Sequence, residues 1–370
     1  MKSLKKILGV ALFILVFSSG FNFSTRHAPA QNNLQSLYIA DTLLYLSDRD
    51  SGISVYSVAD PARPAFHLNI PVRGNAGLAV RDSFIFTQNQ GSLLVLKIFQ
   101  DTLYKVVKVL AGYEGYHGTG LLDDVSYGRS GLGCGGCGTT ADGSRMMASD
   151  VAMSSYNGGS SYATFAVIDS FLYYIDGGSL TTLNIAHPES PVTLSTLYLG
   201  WGVETLFPTD KYLFLGETRG MRIFDRSVPA APFEIGAFTH ARACDPVVVR
   251  DTLAFVTLRS GSVCGLTRDT LLVISVKDPA KPVALSGATV PTPYGLAVKD
   301  SLLYVAAGLN GYRLFNIARP NNLSLVANLT TIPSIDFIWN DSLLYLMGFT
   351  GVTILSTASP STPQVLSNIP

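Results

Sequence analysis

Charged residues are scarce in this sequence: Asp, Glu, Lys and Arg make up only 14% of the 370 residues, whereas hydrophobic residues make up 47%. This composition excludes a largely disordered chain, which needs high charge and little apolar content. The 26 basic and 26 acidic residues also cancel, so the chain has no basic excess. Because contacts to phosphates dominate nucleic-acid binding, we do not expect a nucleic-acid partner.

Helical periodicity, cysteine and histidine are rare as well. After the N-terminal 30 residues, no stretch repeats its apolar residues at helical spacing. The chain has four cysteines and five histidines, and it contains no G-x-S-x-G, H-E-x-x-H or Walker sequence. The sequence therefore predicts no catalytic residue, no bound metal and no cofactor.

The longest apolar run lies close to the N-terminus. Three lysines precede the 11 apolar residues 7–17, and small residues follow at Gly20 and Ala30. This order is typical of an export signal, and the run is shorter than the roughly 20 residues that span a bilayer. We expect residues 1–30 to form a signal peptide that is cleaved after residue 20 or 30, with an uncleaved anchor as the alternative. No later segment is predicted to cross a membrane, so the mature chain would be periplasmic, cell-surface or secreted.

A repeat of 41 residues organises the rest of the chain. The stretch "DSLLYVAAGLNGYRLFNIARP" (300–320) is followed 41 residues later by "DSLLYLMGFTGVTILSTASP" (341–360). Two of the spacings between copies are longer, 87 and 49 residues, which indicates loop insertions in a fixed frame. Anchored on its aspartate, the motif occurs seven times, at Asp41, Asp82, Asp169, Asp210, Asp251, Asp300 and Asp341.

Each copy contains the signals for four antiparallel strands. An apolar strand leads to the Asp-hydroxyl turn, a second strand to a glycine turn, and a third strand to paired prolines such as "DPARP" (60–64). A proline at the start of the fourth strand is tolerated only at a sheet edge, so the fourth strand should be the outer one. Seven such sheets around an axis predict an all-β, seven-bladed β-propeller of four-stranded antiparallel blades over residues 34–370.

The repeat is similar to that of a known family. The segments "GISVYSVADPARP" (52–64) and "LLVISVKDPAKPV" (271–283) resemble the LVIVD repeat of exported bacterial propellers, and the stretch 243–265 resembles that family too. The resemblance implies a propeller fold and export, and it implies no particular activity. Members are often lipoproteins, but the first cysteine here is Cys134, so a lipid anchor is not expected.

Two pairs of cysteines could form disulfides in an oxidising compartment. Cys244 and Cys264 belong to loops of the fifth copy that should lie at the same end of the blade, and we predict a bridge between them, with two buried free thiols as the alternative. Cys134 and Cys137 form a C-x-x-C pair. A local disulfide is favoured there, and redox chemistry or half of a metal site are the alternatives.

The C-x-x-C pair lies in a Gly- and Ser-rich insertion, residues 113–161, between the second and third copies. It has few large apolar residues and cannot bury much surface. Because it joins an outer strand to the next inner strand, we expect it over the mouth of the central channel. It either contacts a ligand there or is disordered.

Polar and aromatic residues that differ from copy to copy are expected at this same end. A propeller core needs none of them, so they are the candidates for ligand binding, with ordinary loop polarity as the alternative. The candidates are Arg73, Trp201, Glu204, His240, Arg242, Arg259 and Tyr294. We therefore expect an exported, non-enzymatic binding or scaffold propeller for a protein, a glycan or a small ligand. The alternative is a hydrolase or lyase that acts on sugars or lactones at the channel mouth.

Overall fold

A computed structural model describes residues 22–23, 33–75, 77–89, 91–99, 103–110, 161, 163–176, 178–240, 246–260 and 268–370. Within these ranges all regular structure is β, in seven sheets whose neighbouring strands are antiparallel. Each sheet contains four strands that are consecutive in the chain, and one sheet carries a fifth. The predicted seven-bladed β-propeller is thus confirmed.

The first strands of the chain build blades 1 to 3. The two-residue strand β1 (Asn22–Phe23) comes before the blades. Blade 1 contains β2 (Leu34–Ala40), β3 (Leu43–Asp48), β4 (Gly52–Ser57) and β5 (Ala65–Ile70). Blade 2 contains β6 (Leu78–Arg81), β7 (Phe84–Asn89), β8 (Ser92–Phe99) and β9 (Leu103–Leu110). Blade 3 contains β10 (Phe165–Ile168), β11 (Phe171–Asp176), β12 (Ser179–Asn184) and β13 (Val192–Tyr198).

The remaining strands build blades 4 to 7. Blade 4 contains β14 (Val203–Pro208), β15 (Tyr212–Glu217), β16 (Gly220–Asp225) and β17 (Phe233–Thr239). Blade 5 contains β18 (Val247–Arg250), β19 (Leu253–Leu258), β20 (Thr270–Ser275) and β21 (Val283–Ala288). Blade 6 contains β22 (Leu296–Lys299), β23 (Leu302–Ala306), β24 (Tyr312–Asn316) and β25 (Ser324–Leu329). Blade 7 contains β26 (Asp336–Asn340), β27 (Leu343–Met347), β28 (Val352–Ser356) and β29 (Gln364–Ile369).

The fourth strand is the outermost one of its blade, as the prolines predicted, except in blade 2. There the sheet order is β1-β9-β8-β7-β6, and β1 covers the outer edge by pairing Asn22 with Tyr104 and Phe23 with Leu103. In all seven blades the pairing between third and fourth strands also contains a β-bulge at the same place. A bulge strengthens the local twist, which further hinders pairing at an outer edge.

The core lies between the blades. The second strand of every blade carries a buried aromatic residue four positions after the repeat aspartate, with at most 2% of its surface exposed. These residues are Tyr45, Phe86, Tyr173, Phe214, Phe255, Tyr304 and Tyr345. Since both faces of each blade pack on a neighbour, the strands are apolar on both sides, and clusters of buried side chains join adjacent blades.

The ring closes by packing. The innermost strands of successive blades contact one another all round, and β26 of blade 7 contacts β2 of blade 1. The Ser367 hydroxyl donates a hydrogen bond to the Pro61 carbonyl (2.6 Å), and the Asn340 side chain donates one to the Asp41 carbonyl (3.4 Å). No strand of the described blades is exchanged between the two ends of the chain.

Several predictions fall outside the described residues and stay predictions. They concern the export signal apart from β1, and the insertion apart from Ser161. The disulfides between Cys244 and Cys264 and between Cys134 and Cys137 fall there too, as does Arg242. In the described ranges, no helix has the length and apolar character needed to cross a bilayer.

Candidate ligand-binding face

Strand alternation gives the propeller two different ends. The proline end carries the Asp-hydroxyl turns between first and second strands and the proline turns between third and fourth strands. The loop end carries the turns between second and third strands and the connections from one blade to the next. Six of the predicted candidates lie at the loop end: Arg73, Trp201, Glu204, His240, Arg259 and Tyr294.

Arg259 and Tyr294 are in direct contact, and a third residue extends the cluster. The Arg259 guanidinium lies 4.1 Å from the centre of the Tyr294 ring, in the turn after β19 and the connection before β22, respectively. Phe349 also contacts Tyr294, and its ring packs edge-to-face at 6.3 Å between centroids. The cluster of Arg259, Tyr294 and Phe349 therefore joins blades 5, 6 and 7. A cation over an aromatic face contributes about 0.5–1 kcal/mol at exposed sites, so the contact also orders both side chains.

The backbone beside Tyr294 is strained. Thr292 has a φ of 41°, in the left-handed region, although it is β-branched and precedes Pro293. Both properties disfavour that conformation. The Thr292 amide donates a hydrogen bond to Asp269 Oδ2 (2.7 Å), and Asn310 Nδ2 donates one to the Thr292 hydroxyl (3.1 Å). Strained residues persist only where their surroundings hold them, and they concentrate at functional sites.

Asp269 is the residue that holds this strained connection. Its Oδ1 accepts a second hydrogen bond, from the Ser260 amide (2.7 Å) beside Arg259. Burial disfavours the charged carboxylate, but the hydrogen bonds from Ser260 and Thr292 outweigh burial, so the pKa of Asp269 lies below its ordinary value. A charged Asp269 thus ties the turn of Arg259 to the connection of Tyr294.

Trp201 projects from a rigid turn between blades 3 and 4. Its side chain is 62% exposed, and it stands between Gly200 (φ 89°) and Gly202 (φ 104°). Only glycine adopts such angles without strain. The turn is held by hydrogen bonds from the Leu199 amide to the Gly178 carbonyl (2.8 Å) and from the Thr218 amide to the Gly202 carbonyl (2.9 Å). An exposed tryptophan on a fixed turn needs little ordering to bind a partner.

An ion pair supports the same turn from blade 4. Arg222 pairs with Glu217, donating a hydrogen bond from Nε to Oε1 (2.5 Å), and donates another from Nη2 to the Leu199 carbonyl (2.8 Å). Burial raises the pKa of the Glu217 carboxyl, although the hydrogen bond from Arg222 opposes the rise. Glu217 therefore has a structural role here. Asn75, in the connection between blades 1 and 2, is also structural: it is buried, and its side-chain amide donates hydrogen bonds to the carbonyls of Val72 and Asp48.

One described residue of the insertion, Ser161, contacts the blades that lie opposite blade 3 in the ring. Ser161 is buried, donates a hydrogen bond to Asp336 Oδ1 of blade 7 (2.8 Å) and accepts one from the Leu296 amide of blade 6 (2.8 Å). The chain preceding blade 3 thus reaches across the channel to the opposite blades. Asp336 is fully buried at this contact.

His240 and Arg73 complete the predicted set. The His240 ring lies 6.4 Å from that of Phe238, and its amide bonds to the Arg219 carbonyl (3.1 Å). Arg73 is exposed at the tip of the connection between blades 1 and 2. Neither is in the cluster of Arg259, Tyr294 and Phe349.

The sequence did not reveal Phe349, Thr292 or Asp269 as parts of this face. Phe349 alone had a signal: the corresponding turns of the first four copies carry only glycine or polar residues, whereas Phe349 is a large aromatic residue in a turn. Thr292 and Asp269 are ordinary residues whose importance comes from backbone geometry and from a contact across two loops.

Solved structures resemble the chain in fold. No protein-family model and no curated protein matches it. A protein from Lactobacillus plantarum has 13% identity and a TM-score of 0.60, with 92% of this chain and 96% of that one covered. BamB from Moraxella catarrhalis has 10% identity and a TM-score of 0.54, covering 87% and 82%. The computationally designed Ika8 protein has 11% identity and a TM-score of 0.56, covering 94% and 89%. At such identities the likeness shows the propeller fold alone.

Proposed function

We propose that the chain is an exported, non-enzymatic binding or scaffold propeller that recognises its partner at the loop end. Its repeat resembles that of the exported LVIVD propellers, and we assign it to that group on the segments 52–64 and 271–283. The proposal of export rests on the lysines and the apolar run before residue 20. Cleavage after residue 20 would keep β1 on blade 2, whereas cleavage after residue 30 would remove it.

The cluster of Arg259, Tyr294 and Phe349 is the observation that carries the proposal. It brings together Arg and Tyr, two of the residue types that dominate binding energy at interfaces, with the aromatic ring of Phe349, on loops from three blades. The strained Thr292 and the charged Asp269 hold the loops of Arg259 and Tyr294 in one arrangement before a ligand arrives. A preformed surface loses less entropy on binding, which is what a recognition site requires.

Trp201 extends the same face to the turn between blades 3 and 4. Together with the cluster it gives the loop end two aromatic positions on separate, fixed turns. Among the described residues, the proline end repeats one turn motif in most blades and offers no comparable set of aromatic and basic side chains. The partner is a protein, a glycan or a small ligand with apolar or aromatic surface for these rings and acceptors for Arg259.

A comparison of variants tests the proposal. Purified wild type, an Arg259→Ala/Tyr294→Ala double variant and an Arg63→Ala control are immobilised and exposed to envelope extract of the source organism and to a glycan array. Arg63 lies in a proline turn at the opposite end and is paired only with Asp60 (2.8 Å) among the described residues. Thermal unfolding establishes that all three proteins are folded.

We expect a partner that binds wild type and the control alike and binds the double variant at least about 30-fold more weakly, since loss of two anchor residues costs about 2 kcal/mol or more. The same partners bound equally by all three proteins would contradict a loop-end site. Hydrolysis of a sugar or lactone by wild type, lost in the double variant, would favour the enzymatic alternative.

A further inference from the structure

Arginine and lysine are distributed unevenly between the two ends of the propeller. The described turns and connections of the loop end contain no lysine, and their arginines are Arg49, Arg73, Arg219, Arg259 and Arg268. Arg73, Arg219 and Arg268 are exposed, and the other two are half-buried. The described turns of the proline end, by contrast, carry both types: Arg63, Lys211, Arg226, Lys277, Lys281 and Arg319. A planar guanidinium pairs with two oxygens of a carboxylate or a sulfate at once, which the ammonium group of lysine cannot do.

The acidic residues of the loop end are mostly turned inward. Asp48 is fully buried and accepts hydrogen bonds from three backbone amides (2.7–2.9 Å), and Asp269 accepts two (2.7 Å each). Asp336 is fully buried, and Glu217 is paired with an arginine of its own blade. Of the described acids at this end, only Asp50 is exposed. The exposed charge of the described loop end is therefore mainly positive, which suits an anionic ligand.

Three of these arginines lie on neighbouring blades. Arg219 belongs to the turn between β15 and β16 of blade 4, and Arg259 and Arg268 belong to the turn between β19 and β20 of blade 5. The two blades pack directly, since β14 and β15 both contact β18. The His240 amide, in the connection between them, donates a hydrogen bond to the Arg219 carbonyl (3.1 Å). We call Arg219, Arg259 and Arg268 the arginine sector.

Two exposed aromatic residues lie beside the arginine sector. Tyr198 ends β13 and is 65% exposed, and Trp201 follows in the rigid connection into blade 4. From residue 202 to 294, no large apolar side chain is exposed in the described segments of the loop end. Because packed sheets lie about 10 Å apart, a ligand that contacts both Trp201 and blade 5 must be longer than about 10 Å. The surface thus combines aromatic rings at one side with spaced arginines and little other apolar area.

We propose that the ligand of the loop end is an acidic polysaccharide, whose carboxylate or sulfate groups pair with the arginine sector and whose sugar rings pack on Tyr198 and Trp201. This inference rests on the proposed binding function and names the chemistry of its ligand. A sugar ring has an apolar face of C–H groups, which packs on an aromatic ring, while its hydroxyl groups stay in water. Tyr294 already orders Arg259, so this guanidinium loses little freedom when it binds an anion.

Nucleic acid and acidic protein fit this surface less well. A nucleic acid is bound chiefly through its phosphates and selects a domain with a clear basic excess, whereas the formal net charge of this chain is zero. A protein partner needs an apolar centre in the interface, and the described loop end of blades 4 and 5 exposes no large apolar side chain for one. A hydrophilic chain with spaced anionic groups needs only the arginines and a few aromatic rings.

Binding of the full chain to immobilised polymers tests the inference. Polygalacturonate is compared with its methyl ester, which keeps the sugar chain and removes the charge. Chondroitin sulfate separates sulfate from carboxylate recognition, and oligo-dT and polyglutamate represent the other two classes of polyanion. Wild type is measured beside an Arg219→Gln/Arg268→Gln variant, which leaves the cluster of Arg259, Tyr294 and Phe349 intact. The control is Arg63→Gln/Arg319→Gln, which removes the same charge from exposed proline turns at the opposite end. Thermal unfolding first establishes that all three proteins are folded.

We expect wild type and the control to bind polygalacturonate or chondroitin sulfate alike, at least about ten-fold more tightly than the methyl ester and more weakly as salt is added. The Arg219→Gln/Arg268→Gln variant should bind at least about ten-fold more weakly than wild type. Equal binding to the charged and esterified polymers would overturn the inference. So would an equal loss in both double variants, or tighter binding of oligo-dT or polyglutamate.

Failure of this inference is distinguishable from failure of the proposed function. An uncharged partner that Arg259→Ala/Tyr294→Ala loses and Arg219→Gln/Arg268→Gln keeps would overturn the polysaccharide and leave the loop-end site standing. Partners bound equally by wild type and by both of these variants would contradict the loop-end site itself.

Discussion

The repeat aspartate owes its place to backbone geometry. In six blades it has a φ of 52–54°, a left-handed conformation that asparagine and aspartate tolerate better than other residues with a side chain. The exception is Asp210, which lies outside that region in a turn of three residues, Thr209 to Lys211, instead of two. The seven aspartates look alike in sequence, but only six are required by the left-handed turn.

Exchanging this residue for glycine and for alanine at two sites separates the two kinds of turn. At Asp300 we expect the glycine variant to be more stable than the alanine variant by about 1 kcal/mol, because the Cβ of alanine is strained in the left-handed conformation and glycine has no Cβ. At Asp210 the order should reverse by roughly 0.5 kcal/mol, since glycine then only adds freedom to the unfolded chain. Both substitutions remove the carboxylate, so its interactions cancel in each comparison. Denaturant unfolding of the four variants measures this, and the same order at both sites would refute it.

Single residues at the loop end were harder to assign from sequence. The placement of Trp201 and Tyr294 at one end follows from counting strands, which alternate in direction. The contact of Tyr294 with Arg259 and Phe349 joins residues far apart in the chain, and no local pattern encodes it. The strain at Thr292 is likewise invisible in sequence, because the residues Pro-Thr-Pro alone predict an extended segment.

At the scale of the element, the fourth strand links each blade to the next. Directly after the residue that the bulge leaves unpaired, this strand carries a small residue in five blades: Ser195, Gly236, Ser286, Ala327 and Ser367. The three serines donate hydrogen bonds to carbonyls of the next blade's proline turn, at Ala230, Pro320 and Pro61. The proline turn therefore does more than join two strands, since it also receives a hydrogen bond from the neighbouring blade.

Gly236 should be the least replaceable of these small residues. A Cβ at this position would collide with the Pro279 carbonyl oxygen and lie 2.9 Å from Ala280 Cα, and both are backbone atoms that cannot rotate away. We expect Gly236→Ala to lower the free energy of unfolding by about 1–3 kcal/mol, the usual cost of overpacking. Ala327→Ser, at the equivalent place in blade 6, should change it by less than about 0.5 kcal/mol, as for most tolerated substitutions. Thermal and denaturant unfolding measure the stability of both variants. If Gly236→Ala left the free energy of unfolding unchanged, blades 4 and 5 would have to move apart easily enough to accept the added methyl group.

The strand pattern was predictable because one 41-residue frame recurs, so the signals of seven copies reinforce one another. The bulges were not predicted, since one extra residue in a strand as short as residues 192–198 cannot be told from an ordinary strand residue in the sequence. β1 was missed for a different reason. Its two residues lie inside the predicted signal, and its pairing with Tyr104 and Leu103 depends on where the chain passes in three dimensions.

At the scale of the whole molecule, the boundary between blades 7 and 1 differs from the other six in one respect. Every other boundary is crossed by the connection that leads into the next blade, whereas in the described residues this one is held by contacts alone. The Ser367 bond to Pro61 has a counterpart in the Ser286 bond to Pro320 between blades 5 and 6. The two boundaries are therefore built alike and differ in connectivity.

This difference predicts where the ring opens first. Ser367→Ala and Ser286→Ala should each lower the global free energy of unfolding by about 1 kcal/mol, because each removes one hydrogen bond. Blades 5 and 6 cannot separate without extending the connection 289–295, whereas blades 7 and 1 can part locally. In native-state hydrogen exchange, Ser367→Ala should therefore speed exchange in β2 and β26 by about five-fold, the equivalent of 1 kcal/mol. Ser286→Ala should leave β18 and β22 close to wild type. Equally faster amide exchange at both boundaries would mean that the ring opens regardless of which blades the chain connects. Unchanged exchange in Ser367→Ala would mean that the boundary between blades 7 and 1 does not open locally.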